Sequence, residues 1–187
     1  NTLPVAKLFP DAQLTAVDVA APMLRYGHAR ARSLGVNNVT FAQANVEALD
    51  FPDHSFDFIY STMFLHETSF KALPQVLKEV KRLLAPGGIS LHLEQPQYTE
   101  SMDLYEQFIR DWDAFNNNEP FWTTMHELNL PKIAQALGHT PAELIESGAA
   151  AVLDPALFPA QAQAQATASS EDYGRKAAWY AFGTKAA

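Results

Sequence analysis

The chain contains no cysteine. That excludes a disulfide framework, a thiolate nucleophile and any cysteine-ligated metal centre. Nor does it hold an apolar run near the ~20 residues that span a bilayer, and no stretch reads as a secretory signal. Positive charge is scarce: 13 Lys and Arg stand against 21 Asp and Glu, for a net charge of -8 and a pI near 5.1. Nucleic acid is therefore disfavoured as the principal partner, because proteins that grip a phosphate backbone carry a basic face. The six His are scattered. His126-Glu127 has no second His four positions on, so the zincin pattern is missing and no metal is expected. A small molecule is the expected partner, in a reducing cytoplasm, and a homodimer stays open.

What is present suits one folded domain over residues 1–187: hydrophobic residues make up 48% and charged residues 18%. The first two-thirds alternate short β-like runs with helical stretches, the signature of βαβ units and a mostly parallel sheet. Residues 2–8 read as the end of a helix. Residues 14–19 form a compact apolar strand of the kind covered on both faces. Pro22 opens a helix that Gly35 closes, and 39–43 is a second strand. Residues 45–49 read as a turn or short helix, and 56–61 is a third strand. An amphipathic helix over 73–84 carries the stripe Leu73, Val76, Leu77, Val80, Leu83 and Leu84, with Pro74 in its first turn. Pro86-Gly87-Gly88 stops it, and 89–94 is a fourth strand.

Beyond residue 95 the character changes. Tyr98, Tyr105, Phe108, Trp112, Phe115, Phe121 and Trp122 mark an inserted helical cap over 95–130, with most rings expected to form the cap's own core. A helix over 132–137 and a weak strand within 144–153 follow. The Gln- and Ala-rich stretch 155–170 reads as a loop or loose helix. A last strand over 177–184 has Trp179 and Phe182 to pack, and is expected to run antiparallel.

Three segments carry chemistry. TAVDVAAPML (15–24) places Asp18 at the end of the first strand, where an ionised carboxylate can accept both hydroxyls of a ribose; by itself, such an Asp equally suits a helix cap. FAQANVEALDFPDHSFDFIYSTMFLHE (41–67) and VKRLLAPGGISL (80–91) follow at ordered spacing. Together they resemble the class I S-adenosylmethionine-dependent methyltransferases, in particular the ubiquinone/menaquinone methyltransferase-like group, over about residues 1–94. The resemblance implies a Rossmann-like doubly wound α/β fold. It implies methyl transfer from S-adenosylmethionine, with S-adenosylhomocysteine as product.

It also assigns residues. Asp18 binds the ribose, Val19, Ala20 and Met23 hold the adenine region, and Asn45 and Val46 receive the adenine edge. Many relatives have Asp where this chain has Asn45. Ser61, Thr62 and Met63 face the methyl group. Gly87 and Gly88 are read as structural. The family's Gly-x-Gly-x-Gly loop and the strand before it do not occur in this sequence, so residues upstream of Asn1 are expected.

If the acceptor must lose a proton, His66 is the candidate base, with Glu67 as a residue that could orient it and Glu94 as a second candidate. The bland reading of His66 is a residue that shapes its loop. Two alternatives share this fold. One is a non-catalytic cofactor-binding protein. The other is an NAD(P)-dependent oxidoreductase, which the lack of any Tyr with Lys four residues later weakens.

Overall fold

The computed structural model describes residues 2–95, 97–98, 100, 102–149 and 179–187. Backbone packing groups the chain into two compact units, Asn1–Phe51 and Pro52–Ala187.

The first unit is a βαβ motif preceded by a helix: α1 (Thr2–Leu8), β1 (Leu14–Asp18), α2 (Ala21–Ser33) and β2 (Val39–Gln43). β1 and β2 are parallel, in register from Leu14↔Val39 to Asp18↔Gln43. Pro22 sits in the first turn of α2, where its missing N–H is no loss. The helix ends into Gly35 at φ 66°, a left-handed conformation that a Cβ would penalise. Ala6, Ala31 and Val36 form the core, with Leu3, Leu14, Val39 and Phe41 against it. The Asn38 side-chain amide faces the carbonyls of Ala6, Phe9 and Ala12 at 2.9–3.1 Å, tying the end of α1 to the strand pair. β1 is half-buried along its length; the sequence had suggested a strand covered on both faces. It pairs with β2 alone among the described residues.

The second unit runs β3 (Phe56–Thr62), a 3-10 turn (Leu65–Glu67), α3 (Ala72–Leu83), β4 (Leu84–Glu94), α4 (Leu104–Asn116), α5 (Trp122–Glu127), α6 (Leu130–Ala136), a 3-10 turn (Pro141–Glu143), β5 (Leu144–Ala149) and β6 (Trp179–Lys185). Its sheet has the order β3-β4-β6-β5. β3 and β4 are parallel, while β6 is antiparallel to both β4 and β5. The expected stripe of α3 is buried, at Leu73, Val76, Leu77, Val80 and Leu83. Burying each such side chain contributes about 1.5–3 kcal/mol, so this helix anchors the unit. Tyr180 and Phe182 of β6 are fully buried.

Two features depart from the sequence reading. First, β4 starts at Leu84, directly after α3, and Pro86-Gly87-Gly88 lies inside it. The pairing jumps from Phe56↔Leu84 to Phe58↔Ile89, so the tripeptide forms a bulge. Gly87 accommodates it at φ 77°. Second, the cap rings do not form a core of their own. Tyr105, Phe108, Trp112 and Phe115 of α4 are exposed, because α4 turns its aromatic face outward. Among the described residues, no helix is long and apolar enough to cross a membrane. The Gln- and Ala-rich stretch 155–170, residues 150–153 of the weak strand, and residues 177–178 of the last strand lie outside the described residues.

Candidate active site

The carboxyl ends of parallel strands form the usual ligand-facing edge of such sheets, since loops rather than helices leave room there. In the first unit this edge holds Asp18, Val19, Ala20, Met23, Asn45 and Val46. Asp18 closes β1, and its carbonyl accepts from Ala44 N at 3.1 Å, just past the end of β2. Its Oδ1 accepts the Ala20 N–H at 2.7 Å, bracing the turn into α2. Its Oδ2 makes no hydrogen bond among the described residues. The Asp side chain is thus half committed to its turn, with one oxygen left to receive a ligand. Val19 and Met23 are exposed beside it, at 63% and 62%. Asn45 is less free: its Oδ1 accepts from Glu47 N at 3.0 Å, and its amide donates to Glu47 Oε1 at 3.3 Å. Gln43, which the sequence reading passed over, donates from its amide to the Val19 carbonyl at 3.0 Å and ties the two strand ends.

In the second unit the carboxyl-end edge of its own sheet holds Ser61, Thr62, Met63, His66 and Glu94. Ser61 lies opposite His92, and its hydroxyl is 2.8 Å from His92 Nδ1. Burial drives the His92 pKa down to about 4, against an opposing pull from Glu94. Met63 has φ 53°, a conformation that side chains adopt rarely and that concentrates at functional sites. The Leu93 carbonyl holds it there, accepting from Met63 N at 2.8 Å.

This turn delivers the chain to Glu94. Fully buried, Glu94 receives Phe64 N–H at 2.9 Å and Leu65 N–H at 2.7 Å on Oε1, and lies 2.8 Å from His66 Nδ1 through Oε2. The two candidates that the sequence offered separately are one buried pair. With Nδ1–H donated to Glu94, His66 presents Nε2 as its basic atom. Glu67, the partner the sequence suggested, instead lies 3.5 Å from that Nε2. Burial tends to lower the His66 pKa, but the Glu94 hydrogen bond and charge, with Glu67 and Glu119, carry it above the usual 6.5. Trp122 stacks on the imidazole, centroids 5.0 Å apart. His66, Glu67 and Glu119 also offer ligand atoms within 4.8 Å of one another, close enough to hold an ion. No local sequence pattern marks that grouping.

Residues 1–88 match a family model described as a methyltransferase domain. Over 107 residues the chain is 37% identical to the ubiquinone/menaquinone biosynthesis C-methyltransferase UbiE of Psychromonas ingrahamii, covering 57% of this chain and 40% of that protein. It is 40% identical over 86 residues to UbiE of Pasteurella multocida, covering 46% of this chain and 31% of that one. Residues 1–88 of this chain are thus similar to a methyltransferase domain. The methyltransferase matches therefore span well under half the length of these curated relatives.

Solved structures extend the likeness of fold across the chain. The YcgJ protein of Bacillus subtilis superposes with a TM-score of 0.65 at 20% identity, covering 98% of this chain and 88% of that one. Phosphoethanolamine N-methyltransferase 2 of Haemonchus contortus, in complex with S-adenosyl-L-methionine, does so with a TM-score of 0.65 at 14% identity, covering 99% of this chain and 45% of that one. These likenesses show a Rossmann-like α/β fold.

Proposed function

We propose that this protein transfers the methyl group of S-adenosylmethionine to a small-molecule acceptor. The supporting observation is Asp18. At the carboxyl end of β1, its Oδ1 braces the turn while Oδ2 stays open, beside exposed Val19 and Met23. That arrangement fits an adenosine. The open oxygen accepts ribose hydroxyls, and the two apolar side chains lie against the base, with Ala20 and Val46 completing the contact. Asn45 retains acceptor capacity for an adenine amino group, although Glu47 already engages its amide. Ser61, Thr62 and Met63 are assigned to the methyl-bearing end.

The bound sulfonium supplies an activated methyl group, so the protein mainly aligns the reactants. His66 takes the acceptor's proton at Nε2, and Glu94 holds the imidazole in the tautomer that leaves this atom free. Glu94 is a positioning residue, because it reaches the acceptor only through His66.

Calorimetric titration with S-adenosylmethionine, S-adenosylhomocysteine and NAD tests the reading. Binding of the two sulfur compounds and not of NAD is expected. Binding of NAD alone would move the protein to the oxidoreductases. Binding of the sulfur compounds without S-adenosylhomocysteine formation on any acceptor would leave a non-catalytic binder.

A further inference from the structure

The Glu94–His66 pair has an outer side. His66 turns Nδ1 to Glu94, which leaves Nε2 on the opposite edge of the ring. Two further carboxylates gather there. Glu67 Oε1 lies 3.5 Å from Nε2, beyond the ordinary range of an N–H···O hydrogen bond. Glu119 completes the group: one ligand atom from each of His66, Glu67 and Glu119 lies within 4.8 Å of the others. The Glu119 carboxylate makes no hydrogen bond or ion pair among the described residues. Local structure places all three. His66 and Glu67 sit on the 3-10 turn after β3, which Glu94 fixes by accepting the Phe64 and Leu65 N–H groups. Glu119 follows the end of α4. Asn118 adopts φ 57° there, and the Glu119 N–H returns to the Ala114 carbonyl at 3.0 Å, a helix-ending motif that sets where Glu119 leaves the helix.

The chemistry of this group suits a cation. Glu94, Glu67 and Glu119 put three carboxylates around one imidazole, and none of them pairs with a Lys or Arg among the described residues. A metal-binding His commonly donates its second ring N–H to a carboxylate, which fixes the tautomer and aims the free nitrogen. Glu94 stands in that position, fully buried and 2.8 Å from Nδ1. Trp122 stacks on the ring and limits its rotation. One imidazole nitrogen and two carboxylate oxygens suit a first-row divalent ion such as Zn²⁺. Mg²⁺, which prefers oxygen ligands and keeps its waters, suits them less. Ligands at about 2.1 Å in a tetrahedral array stand about 3.4 Å apart. The His66–Glu67 separation is 3.5 Å, and no pair needs to close by more than about 1.4 Å to reach that spacing. The Glu67 side chain is 53% exposed, which gives an ion a way in and leaves room for a water as fourth ligand.

We propose that His66 Nε2, Glu67 and Glu119 bind one divalent transition-metal ion of the Zn²⁺ type, with Glu94 as the positioning residue behind the imidazole. The ion takes the same nitrogen lone pair that accepts the acceptor's proton in the reading above. A metal-loaded chain is therefore one in which that base is blocked. This consequence rests on the methyltransferase reading; the metal site itself does not.

Calorimetric titration of chelator-treated protein with Zn²⁺ and with Mg²⁺ tests the site, together with NMR of the histidine ring nitrogens. One Zn²⁺ per chain should bind, and the His66 Nε2 resonance should move before those of the other histidines. Glu67→Gln and Glu119→Gln keep the side-chain shape and remove a ligand charge, so each should weaken Zn²⁺ binding about tenfold or more. The nitrogen shift is read on the natural protein and holds even if a variant fails to fold. The site is overturned by no saturable Zn²⁺ binding, by Zn²⁺ affinity unchanged in both variants, by a shift confined to other histidines, or by Mg²⁺ binding as tightly as Zn²⁺. S-adenosylhomocysteine titrated into the same samples separates the two readings. Zn²⁺ binding without S-adenosylhomocysteine binding would remove the methyltransferase reading, and the blocked base with it, while the metal site stands. S-adenosylhomocysteine binding without Zn²⁺ binding would remove the metal site alone.

Discussion

At the scale of single residues, the Glu94–His66 pair yields the sharpest expectation. Glu94 is the group that lifts the His66 pKa against the pull of burial. Glu94→Gln keeps a hydrogen-bond acceptor but removes the charge. NMR titration of the His66 imidazole should give a midpoint above 6.5 in the natural protein and a lower one in the variant. The acidic limb of kcat should move down by the same amount, since a base works only when unprotonated. A limb that stays in place would leave Glu94 a purely structural carboxylate. Both residues were named from the sequence, but their pairing was not. They stand 28 positions apart, and only the β3–β4 register with the turn at Met63 brings them within hydrogen-bond reach. His126 was read only as half of a missing zincin pattern, for the same reason: the lack of a partner for its ring nitrogens among the described residues is a property of packing, which no local pattern encodes.

At the scale of elements, patterning was legible wherever one face is buried and the period is plain. The stripe of α3 was read nearly whole, and the limits of β2 were read as they stand. Leu77→Ala should therefore destabilise the protein by about 2–5 kcal/mol, the cost of a cavity in a packed core, measured by urea unfolding; a loss well under 1 kcal/mol would mean that α3 is peripheral. The bulge in β4 and the outward aromatic face of α4 were not legible. A Pro-Gly-Gly tripeptide suits a turn and a bulge equally, and an aromatic run does not reveal which way it faces. Gly183 is a further element-level constraint. A Cβ there would lie 2.2 Å from the Ser90 carbonyl oxygen on the neighbouring strand, so Gly183→Ala should force β6 from β4 and lower the thermal midpoint sharply. An unchanged midpoint would contradict the observed β4–β6 packing.

At the scale of the whole molecule, stability should depend on pH through its buried histidines. His92 and His126 fold with pKa values pushed down to about 4, mainly by burial, while an unfolded His titrates near 6.5. Below pH 6.5 the unfolded chain binds protons that these two sites refuse, so their contribution is present above pH 6.5 and is lost as pH falls toward 4. His66 works in the opposite sense, stabilising most below 6.5 and fading as pH rises through its raised value. Thermal melts should thus show a midpoint falling between pH 6.5 and 4, with a smaller fall in His126→Gln; an equal fall in both proteins would deny His126 that role.

The central claim concerns the donor, and its most direct measurement is the affinity for S-adenosylhomocysteine of the natural protein and of Asp18→Ala. Two charge-assisted hydrogen bonds to a ribose predict a loss of about tenfold or more, with His126→Phe binding the compound as the natural protein does. An affinity unchanged by Asp18→Ala would confine that carboxylate to bracing its turn, and would contradict the account of this site.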